Sequence, residues 1–232
     1  MKNYPKAIIS LFDHSGNWSN PYKQAGYNVI KVDIKNGVDI LNWDYGQHDY
    51  KYIHEQKHYG LAGVFERKTI KGVCGILAAV PCTDFALTGA ASFAKKDADG
   101  TTAKSIELVN KTLEIINFYS EPAYQGEEEM FWCIENPMTR IHKLVPEIGK
   151  LKFRFSPNEF AGWSDNPISN QYSKQTWLFG NFNNPEKKEL PSLINGLKWK
   201  DSKRGTIDQI KEQRSVTPDG FAKAFFAANN TD

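Results

Sequence analysis

An α/β fold built on a doubly wound, mostly parallel sheet is what this 232-residue chain predicts. Three observations carry that expectation. Short apolar runs, too brief for helices, end repeatedly in glycine, proline or an acid. The first 33 residues read as strand, glycine-containing turn, helix, strand and acid, the order of a nucleotide-binding βαβ unit. Between later apolar runs lies a long stretch whose apolar positions recur at helical spacing.

In chain order, residues 7–12 (AIISLF) form the first strand, ending in Asp13-His14-Ser15-Gly16-Asn17. Residues 18–25 make a short helix with Pro21 in its first turn, where a missing N–H costs little, and Gly26 closes it. Residues 27–33 alternate as a second strand and end on Asp33; in such a unit a carboxylate at this tip takes a ribose hydroxyl pair. Asp39 offers a second carboxylate soon after. His54-Glu55-Gln56-Lys57-His58 has the spacing of a zinc-protease motif, but Gly60 and Gly63 follow directly and weaken the helix such a motif needs. A solvated surface segment is expected there, and no metal.

Residues 73–80 are a buried strand stopped by Pro81, which places Cys82 where open α/β sheets form their ligand crevice. Two readings stand for that thiol, a nucleophile or a small buried hydrophobe. Residues 101–119 form a helix with Ile106, Val109, Leu113 and Ile116 on its core face. Residues 130–134 are another buried strand, ending in Glu135-Asn136-Pro137; there the acid either faces the same crevice as Cys82 or belongs to a helix N-cap region ahead of residues 138–144. From residue 151 two aromatic, alternating stretches, LKFRFSPNEFAGW and QYSKQTWLFGNF, read as strands, with Lys174 in the second. Residues 183–213 carry Lys187, Lys188, Lys198, Lys200, Lys203 and Arg204 around Trp199. A solvated face is the default there, phosphate contact and base stacking the alternative. Thr217 is expected to cap a last helix with Pro218 at its first position and Phe221, Ala224, Phe225 and Ala228 in an apolar stripe.

Composition fits one folded domain spanning residues 1–232, with 40% apolar residues and six tryptophans. The net charge is +2, so no global field selects or excludes a nucleic acid. Three cysteines are too few for a disulfide framework and fit a reducing compartment. The first residues reach Asp13 before an apolar segment of signal length forms, and no run approaches a membrane span. A cytoplasmic monomer with no membrane partner is expected.

Together these signposts resemble the DNA cytosine-5 methyltransferase family. SLFDHSGNW resembles the opening Phe-x-Gly-x-Gly loop; Pro81-Cys82 resembles the Pro-Cys nucleophile motif; Glu135-Asn136 resembles the Glu-Asn motif that grips the target base. RSVTPDGFAKAFF resembles the last motif, which completes the cofactor pocket. The resemblance implies a Rossmann-like methyltransferase fold, S-adenosylmethionine as methyl donor and DNA containing cytosine as partner. It implies catalytic roles for Cys82, Glu135 and Lys174, and a donor pocket lined by Phe12, Asp13, Gly16, Asp33, Ile34, Asp39, Ile40 and Pro81. The chain departs from the pattern in four places. The first loop keeps one glycine, Gly16; Thr83 follows the nucleophile where glutamine is common; QYSKQT offers a single basic residue; and residues 183–213 are a reduced form of the target-recognition region. The last departure leaves single-stranded DNA, RNA or a free cytosine nucleotide open as substrate, and an inactive nucleic-acid-binding relative open as well.

Overall fold

The computed structural model describes residues 6–46, 70, 72–122, 124, 129–191 and 215–230. Its strands are β1 (Ala7–Leu11), β2 (Asn28–Val32), β3 (Val73–Ala79), β4 (Phe131–Pro137), β5 (Phe153–Phe155) and β6 (Thr176–Asn181). Its α-helices are α1 (Asn20–Gln24), α2 (Phe93–Ala98), α3 (Thr101–Tyr119), α4 (Ile141–Leu144), α5 (Pro167–Asn170) and α6 (Asp219–Asn229). The strands form one sheet in the order β2-β1-β3-β4-β6-β5. β1 pairs in parallel with β2 and β3, and β3 with β4, while β6 is antiparallel to both its neighbours. β6 therefore runs against every other strand, and the expected α/β, mostly parallel sheet is what forms.

Burial on both faces explains why β1 and β3 are continuous apolar runs rather than alternating ones. Ile9, Leu11, Ile76, Ala78 and Ile134 face one side, against Val109, Ile115, Ile116 and Tyr119 of α3. Their neighbours Ile8, Leu77, Cys133 and Leu178 face the other, against Trp18, Tyr22, Phe221 and Phe225. Each of these large side chains contributes about 1.5–3 kcal/mol by leaving water. Helices on both faces make the sheet doubly wound.

Several elements differ from expectation. β4 does not stop at residue 134 but continues through Pro137, because β6 supplies partners opposite Glu135, Asn136 and Pro137. Lys174 lies just ahead of β6 rather than within it. The stretch LKFRFSPNEFAGW is a strand only over β5; Pro157–Trp163 is a 3-10 helix, started where Pro157 fixes φ and Glu159 Oε2 accepts the Ser156 N–H at 2.7 Å. Pro218, not Thr217, caps α6. The carboxylate of Asp219 in its first turn accepts hydrogen bonds from Ser164 Oγ (2.7 Å) and Asn170 Nδ2 (2.5 Å).

Residues 183–191 are described and run without regular structure along Pro157–Trp163, where Gly162 N donates to Lys188 O and Lys188 N donates to Glu159 O. Residues 192–213, with Lys198, Trp199, Lys200, Lys203 and Arg204, lie outside the described residues, as do His54 and His58. Among the described residues no group of three or more His, Cys, Asp or Glu side chains is gathered to hold a metal, and no helix is long and apolar enough to cross a membrane.

Candidate functional site

The chain leaves β1 for β2 on one side and then returns to β3 on the other, so the sheet reverses direction between β1 and β3. A crevice opens at such a point, outside the carboxyl ends of the strands. Because β2, β1, β3 and β4 are parallel and registered Val32–Leu11–Ala78 and Ala79–Glu135, their following loops all emerge along one edge. Along that edge the loops after β2, β1 and β3 bring Asp33, then Phe12 to Gly16, then Pro81-Cys82, and the end of strand β4 brings Glu135-Asn136. Residues far apart in sequence are thus ordered by neighbouring strands spaced about 4.8 Å apart.

Phe12 is the sole non-glycine residue with positive φ among the described residues, at 59°. Its N–H still donates to Val32 O at 2.8 Å, so the left-handed bend is held by β2. A bulky residue in that conformation stores strain, and such strain gathers at ligand sites. Asp13 is buried and organises the loop: its Oδ2 accepts Ser10 Oγ (2.9 Å), Ser19 N (3.2 Å) and Ser19 Oγ (2.8 Å). That carboxylate shapes the turn into α1, a role not legible from the motif alone. Gly16 has φ +74° and closes the turn by donating its N–H to Asp13 O. His14 Nδ1, 2.9 Å from Asn36 Oδ1, ties this loop to the one after β2.

After β2, Asp33 caps the 3-10 segment Ile34–Asn36 by accepting Lys35 N at 2.8 Å. Ile34 beside it is 74% exposed, the most open of the large apolar side chains described. Asp39 accepts Leu41 N (3.1 Å) and Asn42 Nδ2 (2.8 Å), while Ile40 is buried in the core. Ile40 therefore supports the loop from beneath.

Pro81 is exposed and Cys82 half-buried, in contrast to the buried thiols of Cys74 and Cys133. Cys82 O accepts the N–H groups of Phe85 and Ala86, so a tight turn follows the thiol directly. One strand over, Asn136 is fully buried and its Nδ2 donates to Val80 O at 3.0 Å. This bond joins the tip of β4 to the residue preceding Pro81-Cys82. Among the described residues nothing hydrogen-bonds to Asn136 Oδ1.

Glu135 is in the strand rather than beyond its end, registered with Ala79 and Leu178. Some of its surface is open, yet protein surrounds the carboxyl closely enough that burial pushes its pKa up; Lys174 pulls it down without cancelling the effect. Tyr172, buried nearby, has its pKa pushed up to about 12, first by burial and then by the charge of Glu135. Burial therefore disfavours the charged form of Glu135, the direction needed for a carboxyl that donates a proton into a hydrogen bond. Lys174 reaches the site by charge, from the segment entering β6.

A carboxyl with a raised folded pKa adds nothing harmful while protonated, and weakens the fold as pH rises through the folded value. Glu135→Gln is therefore expected to raise Tm at pH 8, with the gain shrinking toward about pH 3, below the ordinary glutamate range, where both states are protonated. Calorimetric scans at the two pH values check this, and a gain of equal size at both contradicts the desolvated carboxyl.

No family model matches the chain, and no curated protein matches it. Among solved structures it is similar to the Entamoeba histolytica methyltransferase EhMeth, at 15% identity and a TM-score of 0.39. That similarity covers 85% of this chain and 62% of the other, so the chain spans less than two thirds of that structure's length.

Proposed function

We propose that this chain is an S-adenosylmethionine-dependent methyltransferase acting on carbon 5 of cytosine in DNA through a covalent adduct to Cys82. The observation that carries the reading is the pairing of β3 with β4: Pro81-Cys82 follow directly after β3, Glu135 lies on the adjacent parallel strand, and Asn136 bonds across to Val80. The residues along the edge fit the donor. Asp33 offers a carboxylate at the tip of β2 for a ribose hydroxyl pair, Ile34 an exposed apolar face for a purine ring, and the bend from Phe12 to Gly16 a backbone cradle. When bound, S-adenosylmethionine supplies an electrophilic methyl group on a sulfonium.

Carbon 5 of cytosine is a poor nucleophile, so the chemistry needs covalent help. The Cys82 thiolate adds to carbon 6: the sulfur–carbon bond forms as the carbon 5–carbon 6 double bond opens and its electrons move toward carbon 5 and nitrogen 3. Neutral Glu135 donates a hydrogen bond to nitrogen 3 and offsets the negative charge developing there. After carbon 5 is methylated, a base takes the carbon 5 proton, the double bond re-forms and the thiolate leaves. The base must be out of its stack for the sulfur to reach it, so a flipped or single-stranded substrate is required.

The test has two arms. Calorimetry with S-adenosylmethionine measures donor binding, which the reading requires and an inactive nucleic-acid-binding relative lacks. Labelled-methyl incorporation is then compared for duplex DNA, single-stranded DNA, RNA and dCMP. Transfer to DNA supports the reading; transfer confined to RNA or dCMP moves the same chemistry to another substrate; no transfer to any of them, despite donor binding, overturns it.

A further inference from the structure

The loop after Cys82 and the chain after Glu135 are joined well beyond the Asn136 contact. Leu87 N donates to Met138 O at 2.9 Å, Arg140 N to Phe85 O at 3.0 Å, and Thr139 Oγ1 to Phe85 O at 3.3 Å. A one-residue antiparallel bridge links Ala86 with Thr139. At the centre is the Arg140 side chain, only 12% exposed. Its Nε and Nη2 donate to Asp84 O at 3.2 and 3.1 Å, while Nη1 and Nη2 grip both oxygens of Asp97 at 2.8 and 2.7 Å. The guanidinium stacks over Phe93 with its carbon 3.6 Å from the ring centre. This is the planar, forked geometry that arginine provides and lysine does not.

Asp84 is held from the other side. Lys96 Nζ reaches its Oδ1 at 2.7 Å and also Thr83 O at 2.8 Å, and Ser105 Oγ donates to its Oδ2 at 2.5 Å. Burial alone pushes the Asp84 carboxyl up, but these donors and the charges of Lys96 and Arg140 outweigh it and hold it below the ordinary range. The hydrogen bonds from Arg140 likewise hold Asp97 down to about 2. Both backbone carbonyls directly after the thiol, Thr83 and Asp84, are thus fixed by cationic side chains.

We infer that Arg140 is a positioning residue that locks the chain following Cys82 to the chain following Glu135, so that the protein itself sets how thiol and carboxyl face each other. The inference rests on the reading of those two residues as partners in methyl transfer. Positioning of reacting groups is worth large factors in rate, and a shift of about 1 Å costs on the order of 10²-fold.

The experiment follows amide hydrogen exchange by mass spectrometry on the full chain, wild type and Arg140→Ala, alongside steady-state kinetics. Exchange at residues 83–87 is expected to speed up by about tenfold, with β1, β2 and β3 unchanged. In the kinetics kcat falls by roughly 10²-fold while KM for S-adenosylmethionine stays within about twofold, since the donor loops make no use of Arg140. Arg140→Lys keeps a charge but loses the fork, and falls between the two. Unchanged exchange at 83–87, or exchange accelerated equally over all strands, overturns the inference. If Arg140→Ala does not fold, Asp97→Ala removes the clamp from its exposed end and is expected to give the same local pattern at smaller amplitude; wild-type exchange there also overturns it. Exchange is read without turnover. A wild-type protein that transfers no methyl group therefore refutes the proposed function alone, and unchanged exchange refutes the clamp alone.

Discussion

Cys82→Ser is expected to abolish methyl transfer, with residual activity lower by at least about 10³-fold, while S-adenosylmethionine binds as it does to the wild type. Serine keeps the shape of the side chain but replaces a thiol with a hydroxyl, which is far less acidic and a weaker nucleophile. Addition to carbon 6 then has no nucleophile, and carbon 5 is never activated. The donor loops after β1 and β2 are held by bonds of their own, Phe12 N to Val32 O, His14 Nδ1 beside Asn36 Oδ1 and Lys35 N to Asp33 Oδ1, so calorimetry separates the two effects. Cys74 and Cys133 cannot take over. Both are buried, and burial pushes the Cys133 thiol well above its ordinary range. Methyl transfer at the wild-type rate by this variant rules out the covalent route.

The second large effect is on stability. Gly180 sits inside β6 opposite Cys133 with φ +139°, and a Cβ added there falls 2.1 Å from Trp132 O on the neighbouring strand. Neither the backbone conformation nor the space suits an L side chain. The backbone strain costs roughly 1–3 kcal/mol and the collision with main chain about as much again, against a total stability of about 5–15 kcal/mol. Gly180→Ala is expected to lower Tm by on the order of 10 °C. Gly26→Ala is the control: φ is +89° but among the described residues nothing lies within 4 Å of the added Cβ, so only the conformational cost of about 1 kcal/mol remains. Thermal unfolding of the two variants side by side checks this; equal losses would mean that the β4–β6 contact is not tight.

The parts of the fold visible in the sequence are those where burial writes itself into local pattern. β1 and β3 are apolar runs with clear stops, β2 alternates and ends on an acid, and α3 shows its period and occupies the residues expected of it. Pattern fails where a distant partner decides. β4 runs past its apolar core because β6 pairs with Glu135 and Asn136, and no local signal announces an antiparallel strand arriving from forty residues later. Pro157–Trp163 looks like a strand by its aromatics, yet a proline and a local carboxylate turn it into a 3-10 helix. The site divides in the same way. Asp33, Cys82 and Glu135 stand out because each is a reactive or charged group at a strand tip. Arg140 does not, since its worth comes from Asp84, Phe93, Asp97 and Thr102, all contributed from the loop and helices after β3. Asp84 with Lys96 twelve residues on was the one available hint, and spacing alone does not join them.

The central claim is that one sulfur and one carboxyl act on the same cytosine ring. It is met most directly by incubating the protein and S-adenosylmethionine with DNA oligonucleotides, single- and double-stranded, in which 5-fluorocytosine replaces cytosine. Fluorine at carbon 5 blocks the final proton loss, so a thiolate that has added to carbon 6 stays attached. A covalent complex whose mass maps the nucleotide to the peptide bearing Cys82 is the predicted result. Methylation of ordinary cytosine DNA with no trapped complex, or an adduct on Cys74 or Cys133, would contradict it.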